Sequence, residues 1–414
     1  MPLYKYKEIL LSAGITYALY FVNIICNILT ARNIGPDSYG FFILAVSMQS
    51  LVTIITSLPL NWQFISSEGN QKEFDEIFQV GLILSILGIL VGAFTTIVII
   101  ILYNYKLAIL FLILVFGQLP IILSTLYIGQ YEKKLKYKYA ATLLGLSNTF
   151  GAVTCLVLSY SGIDLWSLLI REILPSILVI LKCYGQGYSY KGGFRLLINS
   201  RVINESINYS KSRVIEQLYF RLPQYLIGLF FGDKKLGVIN QAIYLSSMPN
   251  TYLSTITERI SYPYYIKNID NKIILSKTLK IILIALVIFL IPIIYIFVVY
   301  GKSLVLVLYG EKWRDTGDTL VQLAIFSFVL PIFSSLKTIL FSLDKQHIVR
   351  GGYYIGTVIL CSFILIAKIY SNLNFVIYGF VISILCGTVY FIYRLELYGI
   401  KIGIFKSFKL NEKD

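Results

Sequence analysis

Twelve mostly apolar stretches separated by short polar turns organise this 414-residue chain. They run at approximately 9–30, 41–60, 77–102, 107–128, 139–160, 165–182, 214–231, 236–257, 278–299, 319–342, 350–370 and 374–394. A bilayer core takes about 20 apolar residues of helix, so each stretch predicts a spanning helix and the fold class is an all-α polytopic membrane protein. The longest interior polar stretch, Cys183 to Ser212, falls between the sixth and seventh. The predicted organisation is therefore an N-terminal six-helix half at 1–182, a basic linker at 183–213, and a C-terminal six-helix half with a tail at 214–414. A weak internal repeat agrees: Gly35 and Gly40 recur 197 residues on as Gly232 and Gly237, Ala45 as Ala242 and Tyr103 as Tyr300. Six is even, so both halves start on the same side. Such parallel repeats enclose a central cavity near the midplane and move by rocking of one half against the other.

Composition supports the membrane assignment and charge orients it. Only 14% of residues are charged against 57% hydrophobic, where a soluble domain carries about 25% charged residues. With the amino terminus inside, the cytoplasmic segments hold 25 of the 36 Lys and Arg residues and the opposite side holds 8. Excess Lys and Arg marks the cytoplasmic face, so both termini are expected there. The net charge of +15 is dispersed through short loops, which suits anionic headgroups of membrane lipids and not nucleic acid. The first stretch is too long for a signal core, lacks a small-residue cleavage site and is followed at once by a second span, so it reads as a retained helix. Cys26, Cys155, Cys183, Cys361 and Cys386 have no paired spacing, and the single histidine, His347, has no neighbouring ligands. They read as packing residues, and no metal site is expected. No Gly-rich phosphate loop or metal motif appears and no loop is long enough for a catalytic domain, so neither an enzyme nor a cofactor is expected.

Ionisable residues inside spans are the candidate chemistry, because a charge at a helix centre costs about 2.5–3.5 kcal/mol on insertion scales and is turned toward a partner or a wet cavity. They are Arg171 and Glu172 in the sixth span, Glu216 and Arg221 in the seventh and Lys337 in the tenth. Arg221 stands near midspan, two residues before Pro223. Either its guanidinium fork takes phosphate oxygens in a cavity, or it pairs structurally with Glu216 or Glu172. Arg171 and Glu172, being adjacent, point about 100° apart and cannot face one partner. Lys337 is close enough to the cytoplasmic end to snorkel. Arg32, at the outer mouth, either holds phosphate on release or anchors to headgroups. Glu172 and Glu216 are the carboxylates for ion coupling, or else they neutralise an arginine. Asn23, Asn27, Gln49, Gln118, Asn148 and Gln241 either line a cavity or bond between helices.

Four motifs carry a family resemblance. Arg32-Asn33-Ile34-Gly35-Pro36-Asp37-Ser38-Tyr39-Gly40 resembles the first hairpin of the bacterial polysaccharide (Wzx-like, O-antigen) flippases of the multidrug/oligosaccharidyl-lipid/polysaccharide exporter superfamily. Gly162 to Leu168 resembles that family's Gly-x-x-x-Trp turn before the sixth span, Tyr225 to Gly237 its seventh-helix hairpin, and Leu308 to Trp313 the segment before its tenth span. Where the family commonly carries an Asp before the glycine matching Gly228, this chain has Pro223. The resemblance implies flipping of an undecaprenyl-diphosphate-linked oligosaccharide across the bacterial inner membrane by alternating access. It implies the lipid-linked oligosaccharide and other polysaccharide-assembly proteins as partners, with Arg221, Arg171, Arg32 and Lys337 as substrate-binding candidates. A drug exporter of the same superfamily, a polysaccharide polymerase or ligase, and a structural membrane scaffold are the alternatives. Intramembrane arginines favour an anionic substrate, no outer loop is long, and a scaffold has no need of Arg221.

Overall fold

The computed structural model describes residues 3–54, 56, 60, 64–65, 71–134, 136–185 and 200–402. Residues 186–199 of the expected linker and 403–414 of the tail lie outside them. Thirteen α-helices and one 3-10 turn occur among the described residues. They are α1 (Leu3–Ile34), α2 (Pro36–Val52), α3 (Gln71–Leu102), α4 (Tyr105–Lys133), α5 (Tyr137–Tyr160), α6 (Asp164–Tyr184) and α7 (Ser200–Phe231), then α8 (Asp233–Lys267) and α9 (Lys272–Tyr309). After the 3-10 turn Glu311–Trp313 come α10 (Arg314–Gln322), α11 (Ala324–Ser342), α12 (Gln346–Ile369) and α13 (Asn374–Leu397). The chain divides into two compact units, Met1–Gln217 and Leu218–Asp414, so the boundary falls inside α7. Residues 200–213, expected to be linker, are the first turns of that helix. The expected tenth span is broken at Leu323 into α10 and α11, and α9 runs ten residues past its expected end at 299.

Among the described residues seven helices are long and apolar enough to cross a membrane: α3, α4, α5, α9, α11, α12 and α13. The other expected spans lie on helices that are shorter, like α2, or more polar, like α6 with Arg171 and Glu172 and α7 with Glu216 and Arg221. In the most apolar stretch of α9 only 17% of residues are buried, and in that of α3 28%. The uncovered rows, Ile281, Ile284, Ile288 and Ile291 on α9 and Leu87, Leu90, Phe94 and Ile101 on α3, are suited to lipid. Because lipid tails are as apolar as leucine, helices associate through close packing and interhelical hydrogen bonds. Gly117 brings α4 so near α6 that a Cβ there would lie 2.6 Å from Ile173, and Gly356 brings α12 to within 2.9 Å of Tyr219 on α7 in the same sense. Asn23 Nδ2 donates to Thr149 Oγ1 (2.9 Å, α1 to α5), Gln49 Nε2 to Gln118 Oε1 (2.8 Å, α2 to α4), and the Tyr219 and Ser383 hydroxyls meet at 3.0 Å (α7 to α13).

The two halves repeat one another in segments, at two spacings. Helices α1 and α2 are matched 197 residues on by α7 and α8, whose starts and breaks coincide with theirs at that spacing. Each pair is joined by one glycine in the same conformation, Gly35 at φ 79°, ψ 164° and Gly232 at φ 82°, ψ 172°. Gly35 N–H reaches Ala31 O as Gly232 N–H reaches Gly228 O, and Tyr39 N–H reaches Gly35 O as Leu236 N–H reaches Gly232 O. Ala45 and Ala242, the matched pair on α2 and α8, are both fully buried. Farther along, the spacing becomes 209. Helix α5 matches α12 over its whole length, α4 matches α10 and α11 together, and the turns Ser161–Ile163 and Tyr370–Asn372 share three equivalent backbone hydrogen bonds. Gly162 and Ser371, equivalent in that turn, are both left-handed, at φ 77° and 51°.

A glycine at φ near +80° and ψ near 180° sits in a region closed to other residues. Around Gly232 nothing lies within 4 Å of where a Cβ would stand, so Gly232→Ala probes backbone strain alone. It is expected to cost about 1–3 kcal/mol, read as a lowered thermal unfolding midpoint in detergent. An unchanged midpoint would show that the hairpin does not depend on the glycine conformation.

A collar closes the end of the second unit beyond α9. Gly310, at φ 82°, turns the chain so that Trp313 packs against Tyr309 with ring centroids 6.0 Å apart and none of the indole exposed. Helix α10 then lies across α9, where a Cβ on Gly317 would stand 2.9 Å from Lys302 Cα. Ion pairs stitch it down, Lys302 to Asp318 at 2.6 Å, Lys235 of α8 to Asp315 at 3.9 Å, and Arg314 to Glu311. All are exposed and each contributes little alone. The buried Trp313 supplies the apolar anchor.

Candidate functional site

Helix α7 carries the best placed candidate. Arg221 is half-buried, and its NH1 donates to Gln224 Oε1 at 3.1 Å, one turn along the same helix. Gln224 Nε2 in turn donates to Asn240 Oδ1 on α8 at 2.7 Å. The glycine break makes this possible: Gln224 and Asn240 stand eight residues either side of Gly232, the register at which two helices folded back on one residue face each other. Buried Pro223 lies between the two partners on α7, and its ring denies the Tyr219 carbonyl a helical donor.

Lys337 of α11 borders the same region of the second unit. Its Nζ lies 3.4 Å from the Tyr353 hydroxyl and 5.9 Å from the ring centroid, so the ammonium is held against α12 where snorkelling to the headgroups was expected. Tyr353 belongs to an aromatic cluster that gathers four helices, with ring centroids 5.6 Å from Tyr219 and 6.5 Å from Phe220 on α7, and 5.3 Å from Phe333 on α11. Phe333 stacks on Phe391 of α13 at 4.6 Å. Arg221 follows Phe220 directly in the chain, one position along α7 from the edge of this cluster.

The remaining candidates lie elsewhere. Arg171 on α6 is half-buried. Adjacent Glu172 is exposed and makes no hydrogen bond or ion pair among the described residues. Glu216 is half-buried on α7, in the first compact unit. Arg32 is exposed at the end of α1. Among the amides, Asn23, Gln49 and Gln118 bond between helices, and Gln241 is only 2% exposed, inside the helix packing and not on its surface. Gln224 and Asn240 were not singled out by sequence. The i to i+3 spacing from Arg221 to Gln224 was a usable signal; the link to Asn240 required knowing that one residue separates α7 from α8. No group of three or more His, Cys, Asp or Glu able to hold a metal occurs among the described residues.

One asymmetry bears on chemistry. From Leu218 onward no Asp or Glu falls within the expected spans, whereas Arg221 and Lys337 do. The expected spans from Leu218 onward thus carry cations and no carboxylate.

Repeated halves built of long apolar helices define a polytopic membrane protein. The fold is shared with solved transporters at low sequence identity. The chain superposes on a lipid II flippase MurJ in an inward closed conformation with a TM-score of 0.74, covering 94% of this chain and 87% of that one at 13% identity. An inward-facing multidrug resistance MATE family transporter of the MOP superfamily gives 0.64, covering 91% and 95% at 13% identity. A MOP superfamily transporter from Pyrococcus furiosus gives 0.60, covering 94% and 95% at 12% identity. In sequence, the chain is 24% identical over 195 residues to the teichuronic acid biosynthesis protein TuaB of Bacillus subtilis (strain 168), a match spanning 47% of this chain and 37% of that protein. Residues 29–318 match the model of the polysaccharide biosynthesis protein family, and the chain belongs to that family.

Proposed function

We propose that this protein flips an undecaprenyl-diphosphate-linked oligosaccharide from the cytoplasmic to the outer leaflet of a bacterial inner membrane, for assembly of a surface polysaccharide. The observation that carries this reading is the cationic character of the second unit: from Leu218 onward Arg221 and Lys337 lie within the expected spans and no carboxylate does, Glu216 standing just before the boundary. Charges at that depth persist where a partner or ligand repays them, and a diphosphate matches a guanidinium fork. The family match and the likeness to a lipid II flippase support a lipid-linked substrate. The relative named for teichuronic acid biosynthesis supports an anionic surface polymer as the end product. In this reading two six-helix halves alternate access to a central cavity, the lipid tail stays toward the bilayer, and Glu172 or Glu216 couples an ion. Both termini are cytoplasmic, and the protein works beside other polysaccharide-assembly proteins without catalysing a reaction itself.

Export of small molecules is the second reading, favoured by the fold shared with MATE transporters. Drug cations suit acidic cavities, which the charge inventory of the second unit opposes. Expression of the chain in a strain lacking its own polysaccharide flippase decides between them. Restored surface polysaccharide with unchanged drug tolerance is expected; raised drug tolerance without polysaccharide, at normal protein level, would sink the flippase reading.

A further inference from the structure

A guanidinium has only donors to give, so Gln224 must turn its oxygen toward Arg221. That leaves its NH2 facing α8, and Asn240 must present its own oxygen to it. The contacts of 3.1 Å and 2.7 Å therefore fix both amide orientations by chemistry. Both amide oxygens take up donors inside the network. What remains of the two amides is the second N–H of Gln224 and both N–H groups of Asn240, and neither residue makes another hydrogen bond among the described residues. All three side chains are half-buried and belong to the second unit.

We propose that Arg221, Gln224 and Asn240 form one anion-binding site in which both amides offer their ligand donors alone, and that the ligand is the diphosphate of the lipid-linked substrate; this rests on the flippase reading above. A diphosphate has many acceptors and, when ionised, few protons, so every contact with such a face is favourable. An ammonium finds no amide acceptor there. Gln224 is a positioning residue: it holds the guanidinium and, by giving its oxygen to it, sets the polarity that leaves the Asn240 NH2 outward. Asn240 contacts the ligand directly.

Asn240→Asp tests this without dismantling the network, since a carboxylate oxygen still accepts from Gln224 while the outward donors become a negative charge. The purified full-length protein is titrated in detergent with undecaprenyl diphosphate, and with undecaprenol as the tail-only control. The wild type is expected to bind the diphosphate more tightly than undecaprenol, and Asn240→Asp to bind the diphosphate at least about 10-fold more weakly with undecaprenol binding unchanged. Should the Asp variant fail to accumulate, Asn240→Ala, which deletes the donors without adding charge, is expected to weaken the diphosphate about 3- to 10-fold. Diphosphate binding within twofold of wild type in the folded variant would overturn the site, and so would a wild type that does not distinguish diphosphate from undecaprenol. A chain that binds the diphosphate through Asn240 yet restores no surface polysaccharide keeps this site and refutes the transport reading.

Discussion

Arg221→Ala is expected to abolish surface polysaccharide in a strain lacking its own flippase while the protein stays in the membrane at normal abundance. Hydrogen bonds to charged groups contribute about 1.5–3 kcal/mol each, so losing a bidentate contact with a diphosphate corresponds to a fall on the order of 100-fold or more in binding. Arg221→Lys keeps the charge, replaces the fork with a point donor and can still reach Gln224, so partial transport is expected. An arginine that merely neutralises Glu216 gives a different result: Arg221→Ala lowers abundance by leaving a carboxylate unpaired, and adding Glu216→Gln restores it. Polysaccharide and protein level measured side by side separate the two. Full transport by the single Ala variant would remove Arg221 from the site altogether.

Trp313→Ala carries the largest expected effect on stability. The indole is wholly buried in the collar against Tyr309, and truncation of a buried Trp typically costs about 3–5 kcal/mol. Thermal unfolding in detergent should show a large drop in midpoint. A midpoint unchanged within error would mean that the exposed ion pairs and not the indole hold α10 in place.

The positions of the helices were legible because lipid demands long apolar runs, and α5, α12 and α13 begin and end near where those runs do. The repeat was legible at Gly35 and Gly232 because a backbone conformation closed to other residues leaves glycine as its mark. It was not legible at Ser161–Ile163 and Tyr370–Asn372, where Gly162 is matched by Ser371 and the equivalence resides in backbone hydrogen bonds. The break at Leu323 was hidden because 319–342 reads as continuously apolar, while Gly317, crossing α9 closely, aims α10 separately. Arg221 and Lys337 were found through the cost of charge in a membrane. Their neighbours Gln224, Asn240 and Tyr353 are ordinary residues for a spanning helix, and only the folding back of α8 and the gathering of α7, α11 and α12 around one ring give them a part.

The shift in repeat spacing from 197 to 209 marks where the two halves differ in length. Between the start of α8 and the start of α10 the spacing rises by 12, from 197 to 209, and α9, which lies there, has 38 residues where α3 has 32, six more. That extends the helix by about 9 Å. Inserted into a continuous helix, such a gain would rotate every later side chain about the axis and scramble the faces that pack. At a glycine that already breaks the helix it rotates nothing downstream, and α12 has kept its match to α5 residue for residue. The Gly310 break is thus the joint past which two halves of unequal length return to one register.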